Sequence, residues 1–150
     1  MNPLARICSV DDILLDINAI GQQQLFDTIA RHVHDNYGLA DQHIARRLAE
    51  REKMGTTALG KGVAIPHARV PGLQVAIGLI IRPTLPLPFG AADGKPVEHF
   101  LTLLVPEHAT QTHLDLLAAA AGLLWQNAFR DALKQAHSPR EVHRLLLGVH

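Results

Sequence analysis

Two near-continuous apolar runs, Val75-Ala-Ile-Gly-Leu-Ile-Ile81 and Phe100-Leu-Thr-Leu-Leu-Val105, constrain the fold of this chain more than any other feature. Both are bounded by proline or glycine and neither alternates with polar residues, the pattern of central strands covered on both faces. Strands of that kind need helices above and below the sheet. The flanking sequence supplies them. Gln22 to Tyr37 carries Leu25, Phe26, Ile29, Ala30 and Val33 on one helical stripe, and Gly38 is placed to stop it. A second helix, capped by Asp41 and ending before Gly55, would bury Ile44, Ala45, Leu48 and Ala49. Shorter strands are expected at Ile13–Ile17 and, opened by Gly60 and Gly62, at Val63–Ile65. Pro83 to Pro88 reads as an edge or turn, and Asp93-Gly94 as a hairpin signal. In the last third, Thr112-His-Leu-Asp115 and Ser138-Pro-Arg-Glu141 look like capping boxes. A terminal helix would bury Val142, Leu145, Leu146 and Val149.

Composition then limits function. With 150 residues, 47% of them hydrophobic, residues 1–150 are expected to form one domain of the α/β (α+β) class. Fourteen lysines and arginines balance fourteen aspartates and glutamates, with no basic run, so nucleic acid is not an expected partner. The single cysteine, Cys8, rules out an internal disulfide framework. The N-terminus lacks a secretory signal, and the apolar tract from Leu114 to Trp125 contains Asp115 and is too short to span a bilayer. A cytoplasmic protein without membrane insertion is expected.

The chemistry concentrates in Arg51-Glu-Lys-Met-Gly-Thr-Thr-Ala-Leu-Gly-Lys-Gly-Val-Ala-Ile-Pro-His67-Ala-Arg69. Pro66 restrains the backbone and pushes Ile65 toward an extended conformation, so His67 is expected at a strand exit, held in place. A neutral imidazole can attack phosphorus with one ring nitrogen while a hydrogen bond to the other selects the tautomer. Phosphoryl transfer needs little beyond alignment and charge stabilisation, and Arg51 and Arg69 are near in sequence. On spacing alone, though, a histidine at a strand end is more often structural.

The run from Arg51 to His67 resembles the phosphorylation-site signature of the enzyme IIA domains of the mannitol/fructose class in the bacterial phosphoenolpyruvate-dependent phosphotransferase system. Asp93 to Glu107, followed by Thr112-His113-Leu-Asp-Leu-Leu117, resembles the strand and helix that complete the site in that family. The resemblance implies a central mixed β-sheet flanked by helices on both faces. It implies that His67 is the phosphoacceptor, with Arg51 and His113 stabilising the phosphoryl oxygens, and extends phosphate binding to Thr57 and Arg69. The donor would be a small histidine-phosphorylated, HPr-like carrier, NPr in the nitrogen branch, with no cofactor or metal. His113 has independent support: if Thr112 caps its helix, the imidazole lies in the first turn, where free N–H groups favour an anion. Without the resemblance, His113 would read as a partly buried capping residue.

Leu4 to Asp16 is similar to the N-terminus of the nitrogen-regulatory branch, and the lack of a further domain favours it. Regulated effectors such as sensor kinases or ion transporters are then the expected partners. A sugar-specific IIA that passes phosphate to a permease IIB domain, and a non-catalytic binding module, are the alternatives. Ala58, Lys61 and Ala68-Arg69 depart from the usual fill of the loop.

Other patterns are weaker. Gly55-Thr-Thr-Ala-Leu-Gly-Lys61 resembles a P-loop, but Gly62 replaces the magnesium-binding hydroxyl and a helical pattern precedes it where a strand is required. His32 and His34 point to different helix faces. His43, His99, His108, His137, His143 and His150 read as surface or loop residues. His67 and His113 could share a zinc ion, but an adjacent Arg51 opposes a cation. Leu59, Val70 and Leu73 could rim a docking patch or simply pack in the core.

Overall fold

A computed structural model describes residues 2–148, the side chains of 41 and 42 excepted. The elements run α1 (Pro3–Ile7), a single 3-10 turn (Val10–Asp12), β1 (Ile13–Ile17), α2 (Gln22–Tyr37), α3 (Asp41–Lys53), β2 (Ala58–Gly60), β3 (Val63–Ala64), β4 (His67–Val70), β5 (Ile77–Pro83), β6 (His99–Pro106), α4 (Gln111–Leu124), α5 (Asn127–Gln135) and α6 (Pro139–Gly148). The expected bounds of β1 and α2 are met, and Gly38 ends α2 in the left-handed conformation at φ 72°. A side chain other than glycine would be strained there.

The sheet is mixed. Its order is β1-β5-β6-β3-β2, with β4 also on β6. The pairs β1/β5, β3/β6 and β4/β6 are parallel, and β5/β6 and β2/β3 antiparallel. The two apolar runs occupy the centre because their residues are needed on both faces. From β5 and β6, Ile77, Leu79, Ile81, Phe100 and Leu104 face α2 and α3 with Phe26, Ile29, Ile44 and Leu48. Their neighbours Ile80, Leu101, Leu103 and Val105 face the other helices, with Leu116, Leu123, Phe129, Val142 and Leu146. Each fully buried Leu or Ile contributes about 1.5–3 kcal/mol against exposure. Gly78 lets α1 approach β5: a Cβ there would lie 3.2 Å from the Ile7 Cδ1 atom.

Polar groups under the first turns are satisfied in kind. The buried Asp12 carboxylate accepts from the Ser9 hydroxyl at 3.0 Å and the Tyr37 hydroxyl at 2.6 Å, and lies 2.9 Å from His32 Nε2. Burial and this carboxylate push the Cys8 thiol up to about 12, so it is inert as a nucleophile at neutral pH.

Several expectations need correction. The strand predicted at Val63–Ile65 is the second arm of a β2/β3 pair, and β4 follows it. His67 therefore opens a strand and does not leave one. The helix expected to be capped by Asp41 has Ala40 at its N-cap. Thr112 is not a cap either: Thr110 precedes α4 and Leu114 N–H donates to its carbonyl at 3.2 Å, so Thr112 is the second helical residue and His113 the third. At α6 the Ser138 hydroxyl accepts from Glu141 N–H at 3.3 Å, but the Glu141 carboxylate reaches back to His137 N–H at 3.1 Å, one residue further than a capping box requires. Asp93-Gly94 does not join two strands. It lies in a long loop closed by a single Leu87/Val97 bridge, with Gly94 N–H donating to Ala91 at 3.0 Å. His99 is 4% exposed within β6 and is no surface residue. Val149 and His150 lie outside the described residues. Leu59, Val70 and Leu73 belong to the two cores and form no common patch.

Candidate functional site

Strands β3 and β4 run along β6 in succession, with Val63 opposite His99 and His67 opposite Leu103. Pro66 interrupts them without breaking their course, because its carbonyl accepts from Leu103 N–H at 3.0 Å. A proline has no N–H to give to a ladder. This break turns the Ile65 carbonyl back toward the imidazole of His67, whose Nδ1 lies 2.8 Å from it.

That contact fixes the tautomer. A carbonyl oxygen only accepts, so Nδ1 carries the proton. On the other side of the ring, Arg51 Nε–H donates to His67 Nε2 at 3.2 Å, and a guanidinium has no acceptor to offer. Both bonds therefore assign the same form, with the Nε2 lone pair turned toward the arginine. Burial lowers the proton affinity of His67. The Ile65 carbonyl works against that shift, the Arg51 charge adds to it and Glu52 opposes it. The net result is a neutral imidazole at pH 7.

Arg51 sits in the last turn of α3 and is held by a second bond, Nη1–H to the Gly55 carbonyl at 2.8 Å. Glu52, beside it, is buried and builds the following loop: its carboxylate accepts from Thr57 N–H at 2.7 Å and the Thr57 hydroxyl at 2.8 Å. Thr57, 6% exposed, thus gives both donors to Glu52 and is not among the groups that meet at the imidazole. Glu52 itself was not singled out in the sequence. Its signal was slight: a carboxylate next to the arginine, five residues before a threonine, across a glycine.

From the opposite layer, α4 delivers His113, 8% exposed. Its ring meets that of His67 edge-on, with centroids 5.6 Å apart and planes at 79°. His113 Nδ1 is buried without a hydrogen-bond partner, and burial, then His67, then Arg69 lower its proton affinity. As the third residue of a 14-residue helix, it lies among first-turn N–H groups that no helical carbonyl satisfies. Arg69 follows His67 by two residues, and its guanidinium donates to the carbonyls of Glu107, at 3.2 Å, and Ala109. It braces the loop that leads into α4.

The structure thus brings His67, Arg51 and His113 together, holds Arg69 on the loop that leads into α4 and diverts Thr57. The arrangement is a ring nitrogen with its lone pair exposed to a guanidinium on one flank and a second imidazole plus a helix N-terminus on the other, a setting that favours an anion. Among the described residues, no group of three or more histidines, cysteines or carboxylates converges on a point that could hold a metal ion. No helix among them is long and apolar enough to cross a membrane.

Residues 6–148 match the model of the family described as phosphoenolpyruvate-dependent sugar phosphotransferase system, EIIA 2, and the chain belongs to that family of phosphoryl carriers. Within it, the similarity runs to the nitrogen-regulatory branch. The chain is 36% identical to a nitrogen regulatory protein of Pseudomonas aeruginosa over 127 residues, 85% of this chain and 80% of that protein. It is 32% identical to one from Bradyrhizobium diazoefficiens over 144 residues, 96% and 94% of the two chains. The crystal structure of IIA-Ntr from Neisseria meningitidis superposes with a TM-score of 0.89 at 38% identity, covering 95% of this chain and 97% of that one.

Proposed function

We propose that this protein is a cytoplasmic regulatory phosphocarrier in which His67 accepts a phosphoryl group through Nε2 from an HPr-like, NPr-type carrier. The observation that carries the reading is the Nδ1 contact to the Ile65 carbonyl at 2.8 Å, which leaves the basic lone pair on Nε2; Arg51 Nε–H, which donates to that lone pair at rest, turns to the phosphoryl oxygens as the transfer begins. In the transfer, the Nε2 lone pair forms the bond to phosphorus as the donor's P–N bond breaks, and the electron pair of that bond returns to the donor nitrogen. His67 keeps its Nδ1 proton and carries the positive charge of a phosphoimidazolium, which the Ile65 carbonyl stabilises. Arg51 and His113 hold the phosphoryl oxygens, and Arg69 braces the loop before the helix that carries His113. The phosphoryl group brings about two negative charges against the one positive charge on the imidazolium, and this net negative charge, where two neutral rings stood, is the signal read by effectors such as sensor kinases or ion transporters.

The test is phosphate transfer from phosphoenolpyruvate through enzyme I and either the nitrogen-branch or the sugar-branch carrier, onto the wild type and His67→Ala. Acid-labile label that requires His67 and arrives faster from the nitrogen-branch carrier is the expected result. Faster transfer from the sugar-branch carrier makes the protein a transport component, and label that persists in His67→Ala removes His67 from the role.

A further inference from the structure

A second concentration of positive charge lies at the other end of β6. A cleft of about 490 Å³ is lined by Lys61, Gly62, Lys95, Pro96, Glu98 and Arg130, within the size range of small-molecule sites. Three cations and one carboxylate line it, and that carboxylate has a cation of its own, Lys134, 3.9 Å away. The cations are positioned by the fold. Arg130 donates to the Leu124 carbonyl at 2.9 Å and to Asn127, which pins its guanidinium to the end of α4. Asp93, exposed outside the cleft, ties the two lysine-bearing turns together by accepting from Lys61 N–H at 2.8 Å and Lys95 N–H at 3.0 Å. Lys61 is held at φ 57°, a left-handed conformation that costs a β-carbon-bearing residue energy, and its ammonium stands 4.5 Å from the Trp125 ring centre.

We propose that this cleft binds a small multivalent phosphate, of the diphosphate or triphosphate class, independently of the phosphoryl site. Excess cations on a concave surface leave a net charge that a dianion or higher cancels, and lysine ammonium groups serve as point charges for phosphate while a fixed guanidinium adds directed donors. Four residues of β6 separate the register of His99 from that of Leu103, opposite His67, roughly 13 Å along the strand. The two anion sites are therefore distinct.

Calorimetric titration of the whole chain with sodium pyrophosphate, and in parallel with ADP, tests this at fixed ionic strength with sulfate as the control anion. Trp125, the one tryptophan, gives a second readout through its fluorescence. Saturable binding is expected in the wild type and equally in His67→Ala. Binding should weaken at least about tenfold in Lys95→Glu and Lys61→Gly; the second change relieves the left-handed backbone and so keeps the fold. Tighter binding of ADP identifies a nucleotide as the ligand, and equal or tighter binding of pyrophosphate an inorganic one. Absence of saturable binding overturns the proposal, as does binding matched by sulfate. Binding that survives Lys95→Glu but vanishes in His67→Ala overturns it too, by moving the anion to the phosphoryl site.

Discussion

His67 and His99 stand on adjoining strands, and burial lowers the proton affinity of both, His99 to about 4. Their surroundings differ in what meets the ring nitrogens. His67 has one nitrogen against a carbonyl and the other against a guanidinium, whereas His99 Nε2 is buried without a partner. A depressed proton affinity alone therefore does not distinguish the proposed phosphoacceptor from a buried histidine of β6. Placement of the lone pair opposite a cation, with the proton secured on the far side, separates the two residues.

The strongest way to break this comparison is to remove the cation. Arg51→Ala is expected to slow phosphoryl transfer about 10²- to 10³-fold, the usual cost of losing one preorganised donor, with the circular dichroism spectrum unchanged. A rate near that of the wild type would make Arg51 dispensable. His99→Leu attacks the other side. Unfolded, an imidazole binds its proton near pH 6.5; His99 in the folded chain does so only near 4. The unfolded state thus holds more protons in that window, so stability is intact above it and falls as pH drops through it, by roughly 3 kcal/mol in all. Urea titrations from pH 7 to pH 4 should show His99→Leu losing that slope, while phosphoryl transfer at pH 7 stays within about twofold of wild type.

Thr57→Val sharpens the assignment of the loop. It removes one of two bonds to the buried Glu52 carboxylate and is expected to cost about 1–3 kcal/mol in denaturant melts, with label still reaching His67. Abolished labelling in a folded variant would instead return Thr57 to the phosphate. The smallest effect is a shift in titration: since the Arg51 charge lowers the His67 proton affinity, nitrogen-15 NMR should find the His67 pKa higher in Arg51→Ala than in wild type, and the Nδ1–H tautomer retained.

The features legible in the sequence were those written in local pattern. Continuous apolar runs gave β5 and β6, the 3.6-residue stripe gave α2, and the long signature around His67 contained two of the residues, Arg51 and His67, that the fold brings together. Features set by distant partners were not legible. β4 carries only His67-Ala-Arg-Val70, too short to show periodicity, and is a strand because β6 offers it an edge. His99 looked like a polar residue beside a strand because nothing nearby in sequence announces that β6 starts one residue before its apolar run. Thr112 had the right spacing for a cap, but the turn that ends at Ala109, held by Arg69 from β4, starts the helix earlier. The resemblance implied phosphate binding at Thr57, and its pairing with Glu52 was not legible because the two meet only once the loop closes.

The carbonyl that fixes the imidazole of His67 belongs to a residue only two positions back. Orientation and protonation of the proposed phosphoacceptor therefore travel with the tripeptide Ile65-Pro66-His67, as a self-contained cartridge. Arg51 and His113 arrive from separate helices and can be exchanged or displaced while the Ile65 carbonyl keeps its hold on Nδ1. With His67 as the proposed phosphoacceptor, the rate of a carrier built this way, and its choice of partner, can be retuned from the periphery while the imidazole stays aimed.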